Sequence, residues 1–204
     1  MKDIHTHKPF YYPEGVVNLD IKSYKLHDLQ KYSIGVHPWL CGNEDTDHLL
    51  ENVKGCVYDN RVVAIGECGI DLLRGEAPVY EQMMLFKQHI ELSELVEKPL
   101  IIHQVKAHEI VVGLRRDYRC SQPWVIHGFR GKPTVAKMLL DVGCHLSFGE
   151  RFNAETLKMV PEDRILAETD ESTHSIDEII AHISAVRGKD MTPVIEENMH
   201  RVLG

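Results

Sequence analysis

Short apolar runs in this chain stop repeatedly on a histidine or an acid. Ser33-Ile-Gly-Val-His37, Pro99-Leu-Ile-Ile-His103 and Trp124-Val-Ile-His127 end on imidazoles, and Val62-Val-Ala-Ile-Gly-Glu67 and Ile165-Leu-Ala-Glu-Thr-Asp170 end on carboxylates. Continuous Val- and Ile-rich runs of this length fit strands buried on both faces, because a strand with one wet face would alternate. Cys144-His-Leu-Ser-Phe148 is a similar, less apolar segment, and Val16-Val-Asn-Leu-Asp-Ile21 is the one strand candidate between His7 and Ser33.

Helical patterns separate these runs. Pro78 to Val96, Ala107 to Arg116, Pro133 to Val142, Asp177 to Val186 and Thr192 to Leu203 read as helices. Within them Val135, Met138, Leu139 and Val142 stand at i, i+3, i+4, i+7, the spacing of one buried face. Strand alternating with helix implies a parallel sheet with helices outside, either open and doubly wound or closed into a barrel. An open sheet gathers its ligand between two strands, whereas a barrel brings every strand end onto one rim. Polar ends on at least five runs favour the α/β, TIM-like (β/α) barrel. It would be small, since roughly 200 residues is the lower edge for the fold. No strand pattern follows Asp170, which leaves room for seven regular strands and a reduced eighth position. With no internal repeat and no linker, residues 1–204 read as a single domain.

Composition narrows the function classes. The formal net charge of −8 opposes a large nucleic-acid footprint without excluding a small phosphate pocket. No apolar run approaches the roughly 20 residues of a membrane span. Lys2 and Asp3 follow the first Met with no apolar signal segment behind them, and the five cysteines form no C-x-x-C pair, so reduced thiols in a cytoplasmic protein are expected. No protein partner is indicated, and a monomer is expected.

His5-Thr-His7 puts two imidazoles on one face of a short strand by alternation. Alone, H-x-H, a strand-end His103 or His127, or a capping Glu67 or Asp170 is more often structural than functional. Together, four imidazoles and two carboxylates on one rim are costly to desolvate unless something pairs with them. Two divalent metal ions, with one carboxylate shared, resolve that cost. Mixed nitrogen and oxygen donors suit zinc, manganese or iron, and magnesium less readily. Such a pair activates water for hydrolysis of a phosphoester, amide or ester. Neither a G-x-S-x-G elbow nor a P-loop is present.

Six ordered segments carry a family likeness: Asp3-Ile-His-Thr-His7, Gly35-Val-His-Pro38, Ala64-Ile-Gly-Glu-Cys-Gly-Ile-Asp71, Pro99-Leu-Ile-Ile-His103, Ile126-His-Gly-Phe-Arg-Gly131 and Leu166-Ala-Glu-Thr-Asp170. In these the chain resembles the TatD-type metal-dependent deoxyribonucleases of the amidohydrolase-like barrels. The resemblance implies that His5 and His7 hold one metal with Asp170, that His103 and His127 hold the second, and that Glu67 bridges them. It implies magnesium, manganese or zinc as the metal, Asp170 as the acceptor of the proton from the attacking water, and DNA phosphodiesters as substrate. The loops depart from the family: Gln104-Val-Lys106 replaces Ser-Arg-Asp, Gly128-Phe-Arg-Gly131 replaces Cys-Phe-Ser-Gly, and Glu171-Ser-Thr-His-Ser175 is short. A small phosphoester, lactone or amide is therefore the alternative substrate, and a non-catalytic metal-binding protein the second alternative.

Further residues follow from position. His37 is expected to contact substrate, Glu168 to orient a ligand from behind, and Arg130 and Lys106 to clamp a phosphate. Trp39 lies near the rim, where it could stack a base, and Trp124 belongs to the core. His27, His48, His89, His182 and His200 read as surface, and His108, His145 and His174 as loop or helix residues.

Overall fold

Among the described residues the apolar runs form eight strands: β1 (Asp3–Thr6), β2 (Gly15–Asn18), β3 (Lys31–Ile34), β4 (Val62–Asp71), β5 (Leu100–Val105), β6 (Trp124–Ile126), β7 (His145–Phe148) and β8 (Ile165–Ala167). The structure, a computed structural model, describes residues 1–8, 12–22, 25–42 and 45–204. The strands pair in parallel, in sequence order from β1 to β8. The ring closes through Thr6, which bridges Asp170 in the parallel sense; Asp170 N donates to His5 O at 3.0 Å and His7 N to Asp170 O at 3.1 Å. All eight positions are filled. No strand is needed beyond Asp170, because the Ile165 run is itself the eighth, reduced to three residues.

Among the described residues seven α-helices accompany the strands: α1 (Thr46–Cys56), α2 (Val79–Val96), α3 (His108–Tyr118), α4 (Pro133–Asp141), α5 (Ala154–Met159), α6 (Ile176–Arg187) and α7 (Thr192–Leu203). Their ends follow local chemistry. Asn153 caps α5 by accepting from Thr156 N at 3.0 Å, and Ser175 and Glu178 cap each other reciprocally at the start of α6. Gly188, at φ 71°, closes α6 in a left-handed turn. Helices α1 and α5 were not among the expected elements; α1 buries Leu49, Leu50, Val53 and Cys56 along one face. Among the described residues no helix separates β1 from β2 or β2 from β3, and this economy lets a barrel fit in 204 residues.

Strand residues are buried on both sides. Ile4, Ile34, Ile65, Ile101, Leu146 and Leu166 have no exposed surface, and neither has Trp124, which packs against Phe86 of α2 with ring centroids 5.5 Å apart. Trp124 is thus core, as expected. The five cysteines are free. Among the described residues no helix is long and apolar enough to cross a membrane.

Two histidines overturn their sequence reading. His89 is wholly buried rather than on the surface: its Nε2 accepts from Val36 N at 3.0 Å, so Nδ1 donates to Leu85 O at 2.8 Å. Helical periodicity explains the error, since His89 lies on the same face as Phe86 and Ile90, where a polar ring can sit only if both nitrogens are satisfied. His145 is a buried residue of β7, not of a loop or helix. Burial lowers both rings to about 4.

Candidate metal centre

Strand ends deliver the polar residues to one rim. His5 lies in β1 with His7 just beyond it, Glu67 lies in β4, His103 in β5, and His127 directly follows β6. Asp170 follows β8 at φ 51°, a left-handed turn that Asp tolerates better than most residues. Glycine permits the approach of β4 to β5: a Cβ at Gly69 would collide with the His103 carbonyl oxygen. Asp3 ties β1 to the last strand, accepting from Thr169 N at 3.0 Å, Thr169 Oγ1 at 2.6 Å and His5 N at 3.3 Å. Burial pushes its carboxyl up to about 7 against those bonds.

The Glu67 carboxylate, 5% exposed, sits in the middle. Its Oε2 lies 3.3 Å from His5 Nε2 and 3.4 Å from His7 Nε2. Its Oε1 lies 2.7 Å from His103 Nδ1, 2.8 Å from His127 Nε2 and 3.3 Å from His37 Nε2. Asp170 Oδ1 stands 3.8 Å from His5 Nε2 and 3.6 Å from His7 Nε2. All six residues expected at the rim therefore meet. Burial alone would raise the Glu67 carboxyl, yet the imidazoles of His127, His103 and His37 hold it well below the carboxylate range. Burial likewise opposes charge on His127, but Glu67 and Glu168 outweigh it and raise that ring well above its ordinary value. The bond to Glu67 raises His7 against burial, while burial and the neighbouring Glu168 push Asp170 up.

These residues fit a divalent cation. His5 is fully buried, and among the described residues neither ring nitrogen makes a hydrogen bond, although Nε2 stands 3.3 Å from Glu67 Oε2, an expensive arrangement that a bound cation relieves. Donor atoms of His5, His7 and Asp170 lie within 4.8 Å of one another, as do those of His5, Glu67 and His127, of His37, Glu67 and His103, and of His127, Glu168 and Asp170. Imidazole with carboxylate suits zinc or manganese, and magnesium with fewer nitrogen donors.

A surrounding layer orients the rings. Glu168 Oε1 accepts from Gly128 N at 2.6 Å and lies 3.3 Å from His127 Nδ1. Asp71 does the equivalent for His103, its Oδ2 standing 3.1 Å from Nε2 and accepting from Trp39 Nε1 at 2.8 Å. Although buried, the Asp71 carboxyl is lowered to about 2 by Trp39, the Arg74 and Leu73 amides and His103. His37 Nδ1 accepts from Trp39 N at 3.2 Å, which places the proton of the neutral ring on Nε2, facing Glu67. Burial lowers His37 and so favours that neutral form.

Sequence reasoning missed Asp71, Asp3 and Asn18 as members of this layer. Asp71 could have been found, since it shares a strand face with Glu67 by alternation, and Asp3 shares one with His5. Asn18, whose Oδ1 accepts from Glu67 N at 2.9 Å, carries no such mark. Lys106 and Arg130, expected to clamp phosphate, are exposed in the loops after β5 and β6 and make no bond to the cluster. Long basic side chains on open loops have no packing to direct them inward.

The family described as TatD related DNase matches residues 20–204. The chain belongs to the TatD family. Its TatD match begins after His5 and His7, which the barrel nonetheless sets beside Glu67. An uncharacterized metal-dependent hydrolase of Buchnera aphidicola subsp. Baizongia pistaciae is 34% identical over 146 residues, 68% of this chain and 54% of that protein. The uncharacterized metal-dependent hydrolase YabD of Bacillus subtilis is 32% identical over 152 residues, 71% of this chain and 59% of that one. The matches thus span a little over half the length of these curated relatives. Among solved structures, YjjV, a TatD homolog from Escherichia coli, superposes with a TM-score of 0.85 over 98% of this chain and 96% of that one. At 17% identity that likeness speaks for the barrel alone.

Proposed function

We propose that the chain is a dinuclear metal-dependent hydrolase of phosphodiesters, with DNA ends as the substrate. The observation that carries this reading is the division of the Glu67 carboxylate: one oxygen faces His5 and His7, the other His103, His127 and His37. A carboxylate so flanked suits two cations, one held by His5, His7 and Asp170 and the other by His103 and His127. When bound, such ions lower the pKa of water and offset charge building on a phosphoryl oxygen.

The chain's own residues supply the rest. Asp170, whose carboxyl burial and Glu168 push above its ordinary value, accepts the proton of the attacking water through its carboxylate. His37, neutral with Nε2–H toward Glu67 Oε1 at 3.3 Å, helps hold that carboxylate in place at the rim. Glu168 and Asp71 keep the His127 and His103 rings aligned. Support for DNA comes from the family's description as TatD related DNase. The exposed Arg130 and Lys106 remain the candidate phosphate contacts of the open loops.

The test is hydrolysis of a single-stranded oligodeoxynucleotide by chelated protein resupplied with Mn²⁺, Mg²⁺ or Zn²⁺. Shortened products that chelation abolishes are expected. Turnover of small phosphoesters, lactones or amides with every oligonucleotide left intact would move the substrate to the alternative class.

A further inference from the structure

Trp39 is a large apolar side chain beside the proposed catalytic cluster, and it is 45% exposed. It is also fixed. Its indole N–H donates to Asp71 at 2.8 Å, and Asp71 is itself buried and held by Leu73 N and Arg74 N at 2.9 Å each. Its backbone N–H donates to His37. The indole centroid stands 4.6 Å from the His37 ring and 6.0 Å from the His103 ring, so the side chain borders the very imidazoles grouped around Glu67. The Arg74 guanidinium lies over the indole at 5.7 Å, and on the same loop Leu72 and Leu73 are exposed.

Burying the indole N–H against Asp71 leaves the ring's apolar surface in water with its orientation set. A rigid aromatic face beside a guanidinium matches a nucleotide, since the base has a π face and its phosphate a charge. A methyl or alkyl phosphoester offers the charge but no π face. Trp124, the other tryptophan, is wholly buried and cannot serve.

We infer that Trp39, pinned by Asp71 and bordered by Arg74, is a stacking platform for the nucleobase adjoining the scissile phosphate, so that the site selects base-bearing nucleotides. This rests on the phosphodiester reading above and adds a requirement for the base. Stacking of this kind predicts a roughly 5- to 150-fold preference for a base over its absence.

The experiment measures affinity by anisotropy with a labelled single-stranded oligodeoxynucleotide and with the same chain abasic at its 5′- or 3′-terminal nucleotide, using Mn²⁺-loaded protein. In the wild type the base-bearing chain binds more tightly and quenches part of the tryptophan emission, the part from accessible Trp39, since Trp124 is buried. Trp39→Leu collapses the preference, and Trp39→Phe, which keeps a ring, retains most of it. Equal binding of abasic and base-bearing chains by the wild type, or an undiminished preference in a folded Trp39→Leu protein, would overturn the inference. A Trp39-dependent preference without hydrolysis of any phosphodiester would support the platform while removing the proposed reaction.

Discussion

The Asp71 carboxylate lies 3.1 Å from Nε2 of His103, and the other nitrogen of that ring, Nδ1, lies 2.7 Å from Glu67. A carboxylate behind an imidazole sets the ring's tautomer and aim, and its removal typically costs 10–100-fold in metal affinity, by the general behaviour of such pairs. Asp71→Asn should therefore weaken Mn²⁺ or Zn²⁺ binding by about that factor. Titration against a chelating indicator checks it; wild-type affinity would reduce Asp71 to a fastener for Trp39.

Glu168 faces the opposite side of His127. In the metal-free protein two carboxylates, Glu67 and Glu168, hold His127 protonated against its burial. Glu168→Gln withdraws one of them, so the His127 titration should move down, followed by the imidazole NMR signals of chelated protein. An unmoved titration would show that Glu67 alone sets the charge.

Asp170→Asn keeps the size of the side chain and removes its capacity to take a proton. General-base loss is worth roughly 10²- to 10⁴-fold in rate. A fall of that order in kcat is expected while His103 and His127 still retain metal, read by elemental analysis beside steady-state kinetics. Unchanged kcat would remove Asp170 as the proton acceptor, and no turnover by the wild type itself would favour the non-catalytic alternative.

His89 links folding to pH. Buried, it keeps a value of about 4 against the ordinary imidazole value of 6.5, so between those pH values the unfolded chain binds a proton that the folded chain refuses. Its contribution to stability is complete above about pH 6.5 and is lost as the pH falls toward 4. His89→Leu should cost on the order of 1–3 kcal/mol at pH 7.5, because Val36 N and Leu85 O lose their partner. By pH 5 the gap between variant and wild type should narrow by roughly 2 kcal/mol. Urea unfolding at both pH values measures it, and a gap independent of pH would contradict the assignment.

Most of the barrel is legible because buried parallel strands leave continuous Val and Ile runs and because their polar ends are rare in a core. The six rim residues are legible for the same reason. Helix α1 escaped notice although Leu49, Leu50, Val53 and Cys56 follow helical spacing, because the polar stretch before it suggests a loop. The partners of the rim are harder to read. Asn18 reaches Glu67 from a strand 49 residues away, and no pattern within either segment reports such a contact. Lys106 and Arg130 illustrate the reverse limit: charge type suggests a phosphate, but an exposed loop residue has no burial to fix where it goes.

The central claim is that Glu67 joins the imidazoles into one cation-binding centre. Calorimetric titration of Mn²⁺ into chelated wild-type protein and into Glu67→Gln tests it most directly. Binding of two equivalents by the wild type, with marked loss in the variant at unchanged thermal stability of the chelated protein, is the predicted result. Equal binding by both proteins, or none by the wild type, would contradict it.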